Sequence, residues 1–551
     1  MTKNLIFSCL LFAALFAAGS RLCCADDVPR VVNIINFIRQ IEPRNHTDFP
    51  DEYLYQTVVE QVKLLKQHQL PGTFLLQYDA LINPKYIALL KDELPKDSEI
   101  GVWWEITQPH VEAAGIKWRG RFPWDWHANV GFATGYTPQE REKLADVYME
   151  KFKSLFGKYP ASVGSWFIDA HTLAYMSDKY HITASCNCKD QIGTDGYTLW
   201  GGYWNGAYYP SRKNAYMPAQ HTEAQIPVPV FRMLGSDPIY QYDTGLGGRR
   251  QGVVSLEPVY RHGGGNEEWV KWFFKVMFDD PALGFNYVQA GQENSFGWNA
   301  MKNGLEFQIP LLAEWQKQNR IRIETLETSG KWFKEQFPVT PPTALSALSD
   351  IQNKGHQTVW FNSRYYRVNL LWKGNAFRFR DIHLFDERLA SAYADKAGTS
   401  MQCIYKTLPV VDGNVWSTPD NLAGLRFVQI DETGKAAELP LGNPVLTPTE
   451  KNVLKVETAA PSGQTFRLLF KEDSLEITSD GSWALELKTA AGKELPFVSV
   501  EKRKVKAVFE KFEYVLVCQE GTFEKPAEQT DYVFRIQPEN GKIKLDCTNA
   551  R

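Results

Sequence analysis

Residues 73–104 run Thr73-Phe-Leu-Leu-Gln77, a helical stretch from Pro84 to Leu94, then Ile100-Gly-Val-Trp-Trp104. Two short apolar runs joined by a helix are the repeating unit of a parallel sheet covered by helices. The alternation extends outward in both directions. Val31 to Phe37 reads as an earlier strand and Glu52 to Gln69 as the helix after it, with Pro71-Gly72 ending that helix. Downstream, Thr137-Pro138 with Glu140 opens a long helix in a capping-box pattern. Ser162 to Ile168, Ile182 to Ser185, Val228 to Leu234 and Phe285 to Gln289 read as four further strands, and Asn266 to Phe278 as the helix before the last. Seven repeats favour an α/β fold of the barrel kind, a distorted seven-stranded β/α barrel, over a doubly wound sheet.

Pro338-Val-Thr-Pro-Pro342 marks a linker. Beyond it come short alternating runs such as Thr358-Val-Trp-Phe361, Phe466-Arg-Leu-Leu-Phe470 and Tyr532-Val-Phe-Arg-Ile536, the pattern of an all-β sandwich. A chain of 551 residues has room for both units. At the start, Lys3, the apolar run Leu5 to Ala18 and Cys23-Cys24-Ala25 before Asp26-Asp27 have the layout of a secretory signal peptide. The expected division is therefore 1–25 signal peptide, 26–337 barrel and 338–551 β-sandwich. The expected location is periplasmic or extracellular. A lipid anchor is less favoured, because Ser20-Arg21-Leu22 is not a small-residue pair. The apolar run is too short for a comfortable membrane span, and the net charge of -3 gives no basic field for nucleic acid. Without its first 25 residues the chain keeps five cysteines. Cys186 and Cys188 are too close to bridge if extended. Cys518 and Cys547 could pair, although buried thiols are the simpler reading.

In a parallel barrel the functional side chains follow the carboxyl ends of the strands. Here strand one leads to Glu42, Arg44 and His46. Strand two leads to Asp79, strand three to Trp103-Trp104-Glu105 and then His110, and strand four to Asp169 and His171. Strand five leads to Asp190 and Asp195, strand six to Asp237 and Asp243, and strand seven to Gln292, Glu293 and Trp298. Glycoside hydrolysis needs two carboxylates, one as acid and one as base or nucleophile, and Glu105, Asp169 and Glu293 are the candidates. Eight of the 17 tryptophans lie between residues 103 and 204, among them Trp103, Trp104 and Trp204. Aromatic faces suit the C–H face of a sugar ring. No two histidines have tight ligand spacing, so no metal or other cofactor is expected. Nucleophile-elbow and phosphate-loop patterns are absent from the sequence.

Gly72-Thr-Phe-Leu-Leu76 followed by Ser98-Glu-Ile-Gly101 is similar to the second and third strands of polysaccharide deacetylases and related glycoside hydrolases, which share a distorted seven-stranded β/α barrel. Deacetylases read His-Glu-Ile-Gly-Asn-His in the third strand, the last His binding a metal. Val102 and Trp103 stand at the corresponding places here. Asn36-Phe-Ile-Arg39 stands where the deacetylase's paired Asp would be. The barrel with an appended β domain resembles the glycosidase branch, and also a secreted Bacteroidetes family associated with glycan use. The resemblance implies a nucleophile after strand four and an acid after strand seven, positions that Asp169 and Glu293 match by strand count. The expectation is an extracytoplasmic glycoside hydrolase. Asp169 would be its nucleophile or base, Glu293 its acid, and Glu105 would orient the substrate. Trp103, Trp104, His171, Asp195, Trp204, Asp237 and Trp298 would line a carbohydrate site. The alternatives are a non-catalytic glycan-binding protein on a decayed barrel, and a deacetylase with relocated metal ligands.

Overall fold

The structure is a computed structural model describing residues 28–41, 51–432, 435–450, 452–526 and 532–550. The signal-peptide reading and Glu42, Arg44 and His46 lie outside the described residues.

The first half is built on parallel strands β1 (Arg30–Ile38), β2 (Thr73–Leu76), β3 (Glu99–Trp103), β4 (Ser162–Gly164), β5 (Ala184–Cys188), β6 (Val230–Met233) and β7 (Asn286–Ala290). They pair in the order β7-β1-β2-β3-β4-β5-β6. Nearly every residue of these strands is buried, which explains the continuous apolar runs: helices cover one side and the strands' own side chains fill the other. Among the described residues β6 and β7 are not paired, and Ala207–Tyr208 lies antiparallel along β6 instead. The sheet is therefore curled and open between β6 and β7, where the sequence suggested a distorted seven-stranded barrel. The fourth strand also stops at Gly164, earlier than its apolar run. Helix α1 (Pro138–Phe156) carries the capping box read from Thr137 and Glu140, and ends at Gly157 in the left-handed region (φ 75°).

The second half is β-rich. One antiparallel sheet includes Thr343–Ala347, His356–Asn362, β8 (Tyr366–Lys373), β9 (Ala376–Leu384) and Gly424–Ile430. A second includes Val453–Ala459, Thr465–Phe470, Ser474–Thr478 and Phe512–Glu520. Val368, Ile382 and Leu425 of the first meet Leu475, Leu516 and Leu545 of the second in a shared apolar layer. Val453–Ala459 alternates buried and half-buried residues, as a strand with one covered face must. Cys186, Cys188, Cys403, Cys518 and Cys547 are all buried free thiols.

Pro338–Pro342 joins the halves in sequence, but the sheets cross that join. Ala282–Leu283 from the first half pairs with Thr343–Ala347. Cys403–Lys406 from the second pairs with Tyr197–Trp200. Between the halves Arg367 of β8 is fully buried. It gives a two-pronged bond to Asp381 (2.8 Å each) and donates to Asp190 Oδ2 at 2.6 Å, just past β5.

Candidate functional site

The carboxyl ends of β1, β2, β3 and β7 deliver Arg39, Gln77, Glu105 and Glu293 to one place. Arg39 is the centre of the group. Its Nε and Nη2 donate to the two oxygens of Glu105 at 3.0 and 2.8 Å, and its Nη1 lies 3.1 Å from Glu293 Oε2. Gln77 Nε2 donates to Glu105 Oε2 at 2.8 Å. The Trp124 ring covers the guanidinium, with Cζ 4.5 Å from the ring centroid. Arg39, Glu105, Trp124 and Glu293 are all at most 6% exposed.

The backbone holds this arrangement. Asn294 accepts from the Arg39 backbone N–H (2.9 Å) and donates to the Arg39 carbonyl (2.8 Å), clamping the end of β1 to the turn after β7. Gly291 makes the turn possible: its φ is 92°, and a Cβ there would stand 2.2 Å from the Ile35 carbonyl oxygen. Ser295 Oγ donates to Glu293 Oε1.

Burial raises both carboxyls. Burial lifts Glu293 to about 7; Arg39 and Ser295 oppose the rise, and the charges of Glu105 and Asp195 add to it. Burial also lifts Glu105, and here Arg39 opposes through both its charge and its two-pronged bond, with the Trp103 indole beside it. Asp195 is exposed, in a left-handed turn (φ 41°), and its charge reaches both glutamates from the rim.

Asp169 belongs elsewhere. It is fully buried as the N-cap of α2 (Ala170–Tyr180): it accepts from the Thr172 N–H (2.9 Å) and Thr172 Oγ1 (2.6 Å) and pairs with buried Arg141 at 2.9 Å. Arg141 in turn holds the carbonyls of Ala133, Tyr136, Tyr393 and Lys396. This is a knot that fastens α2 and the 393–396 segment. Asp169→Asn is expected to cost about 1–3 kcal/mol of stability, because Arg141 loses its counter-ion. Urea unfolding measures this, and the Glu105–Glu293 pair should be untouched.

The remaining candidates divide. Trp103 is buried flat against Phe37, with ring centroids 4.1 Å apart, under Glu105. Trp104 packs edge-on against His110 on the helix side. His110 is itself buried against the Leu144 carbonyl (2.8 Å), and burial pushes it down to about 4. Half-exposed His171 faces Glu142 at 2.9 Å on the outer surface of the helices. Trp204 stacks on Trp360 of the second half at 3.7 Å, so it seals the join between the halves. Asp237 is buried and holds the backbone N–H groups of Ile239 and Tyr240 and the Trp269 indole. Trp298 is half-buried and packs against the core at the start of its helix. Of the expected residues, Glu105 and Glu293 come together on Arg39, with Trp103 beside Glu105, and the charge of exposed Asp195 acts on both glutamates. Arg39 and Gln77 join them without having been singled out, and Trp124 joins them as one of the eight clustered tryptophans. A polar residue at the very end of the β1 run was the available signal for Arg39.

Among the described residues no three His, Cys, Asp or Glu side chains converge as metal ligands, and no helix is long and apolar enough to cross a membrane.

The fold has counterparts among solved structures. A provisionally assigned glycoside hydrolase/deacetylase from Parabacteroides distasonis superposes with a TM-score of 0.52 at 15% identity, covering 70% of this chain and 91% of that one. The likeness is one of fold. More distant matches include provisionally assigned polysaccharide deacetylases from Pseudomonas aeruginosa PAO1 (TM-score 0.37, 13% identity, 57% of this chain and 93% of that one) and Mycobacterium smegmatis (0.36, 12%, 57% and 94%). No protein-family profile and no curated protein sequence matches the chain.

Proposed function

We propose that this chain hydrolyses a glycosidic bond in an extracytoplasmic poly- or oligosaccharide, with Glu293 as general acid and Glu105 as the carboxylate that acts as base or nucleophile. The observation that carries the proposal is the sharing of one guanidinium by two buried carboxyls from different strands. One cation neutralises one carboxylate, so the pair is most stable with a single proton between its members. Glu105 holds the two-pronged bond, which favours its charged form. Glu293 has the single contact and takes the proton. Glycoside hydrolysis needs that asymmetry: one carboxyl to protonate the leaving oxygen and one to work from the other side.

The role expected of Asp169 passes to Glu105, since Asp169 is occupied in capping α2 and balancing Arg141. The Parabacteroides neighbour's glycoside hydrolase/deacetylase assignment fits carbohydrate chemistry on this fold. A metal-dependent deacetylase reading finds less support, because Trp103 is packed against Phe37 at the family's metal-ligand position.

Reducing-end assays of the purified chain on a panel of plant and host glycans test the proposal. At least one glycan should be cleaved; cleavage of none, with acetyl release from an acetylated glycan, would contradict it. The rate on the cleaved glycan should fall as pH rises through about 7, where Glu293 gives up the proton it donates. A rate still rising above pH 8.5 or so would contradict the acid role.

A further inference from the structure

Behind Glu293 lies a second buried ion pair that the hydrolytic scheme leaves idle. Lys189, one residue past β5, donates from Nζ to Glu257 Oε1 at 2.8 Å. The two residues are 4% and 5% exposed. Ser255 Oγ donates to the same oxygen at 2.8 Å. The other oxygen, Glu257 Oε2, accepts from Gln292 Nε2 at 3.2 Å. Gln292 Oε1 then accepts the backbone N–H of Glu293 at 2.9 Å. An unbroken line of hydrogen bonds therefore runs from β5 to the acid's own peptide group.

Desolvating an ammonium and a carboxylate costs several kcal/mol per ion, which their attraction only offsets when geometry is good, so a buried pair is weak evidence for stability by itself. We propose that Lys189, Glu257 and Gln292 are positioning residues that fix where Glu293 stands and at what pH it releases its proton. The proposal rests on the reading of Glu293 as the acid. Gln292 has one place to donate and one to accept, so its amide orientation is set by Glu257, and Glu293 is held in the turn after β7 as a result. The pair also sets the local field. Intact, it is neutral towards Glu293, which otherwise faces Arg39 past β1, Glu105 past β3, Asp195 past β5 and the half-buried Tyr260 beside Glu257. Broken, it leaves one charge behind.

That gives a test with two signs. Lys189→Met strands a negative charge at Glu257 and should raise the pH at which Glu293 titrates. Glu257→Gln strands a positive charge at Lys189 and should lower it. Each shift should be roughly one pH unit. The readout is the carboxyl-carbon NMR titration of Glu293 in the full chain labelled with 13C-glutamate, assigned by the signal missing from Glu293→Gln. Opposite shifts support the proposal. Shifts of the same sign, or none, overturn it. If either variant fails to fold, Gln292→Leu decides, because it cuts the line and leaves the ion pair intact. A shifted Glu293 titration then supports the proposal and an unmoved one overturns it. On a cleaved glycan, Gln292→Leu should also lower kcat by roughly tenfold with KM unchanged. The titration needs no substrate, so absence of hydrolysis would sink the glycosidase reading without deciding this one.

Discussion

Glu105→Gln and Glu293→Gln are each expected to lower kcat/KM on the cleaved glycan by about 10²- to 10⁴-fold, the range lost when a positioned proton donor or acceptor is removed. The two should not be additive, because each acts through the charge state of the other and through Arg39. The amide in Glu293→Gln cannot protonate the leaving oxygen, so the descending limb of the pH profile near 7 should disappear with the activity. Glu105→Gln removes the negative charge that helps lift Glu293 and frees Arg39 to pair with Glu293 alone. Whatever activity remains should therefore show its descending limb at lower pH than the wild type. Kinetics over pH 4 to 9 or so check both expectations.

Arg367→Met is expected to destabilise the chain by about 3–5 kcal/mol, because it strands Asp381 and Asp190 at a buried join with one cation fewer. Asp190 keeps Arg232 at 2.7 Å and Asp381 keeps the Tyr242 hydroxyl at 2.6 Å, so neither is wholly abandoned. A midpoint shift in urea at unchanged slope measures the loss. The same geometry says the β-rich half is not a detachable module. A chain cut at residue 338 would uncover Trp204 and leave Ala282–Leu283 without the strand it pairs with. That fragment should not fold cooperatively, and a sharp unfolding transition from it would contradict this view of the join.

Much of the fold was legible because it depends on local pattern. The buried runs of β1 to β3, the capping box at Thr137 and the change of period after Pro342 each follow from a few neighbouring residues. Closure was not legible, since whether β6 meets β7 depends on packing at the two edges, where Ala207–Tyr208 takes the place beside β6. The site was legible by halves. Glu105 and Glu293 stand where carboxyl-end reasoning put them. Their partner Arg39 did not emerge, because pairing one cation with two acids 66 and 254 positions away is a tertiary event. Asp169 stands away from that pair for a local reason: an Asp directly before the helix Ala170–Tyr180 caps it, a signal that strand counting does not weigh. The tryptophans divide. Trp103, Trp104 and Trp204 are as buried as the core aliphatics, and they pack rings against rings.

The central claim is that Glu105, and not Asp169, partners Glu293. The most direct measurement compares hydrolysis of one cleaved glycan by Glu105→Ala and by folded Asp169→Asn, each with and without added azide. Glu105→Ala should be nearly inactive and regain turnover when azide supplies the missing anion, while Asp169→Asn should turn over at close to the wild-type rate. A folded but inactive Asp169→Asn beside an active Glu105→Ala would contradict the account.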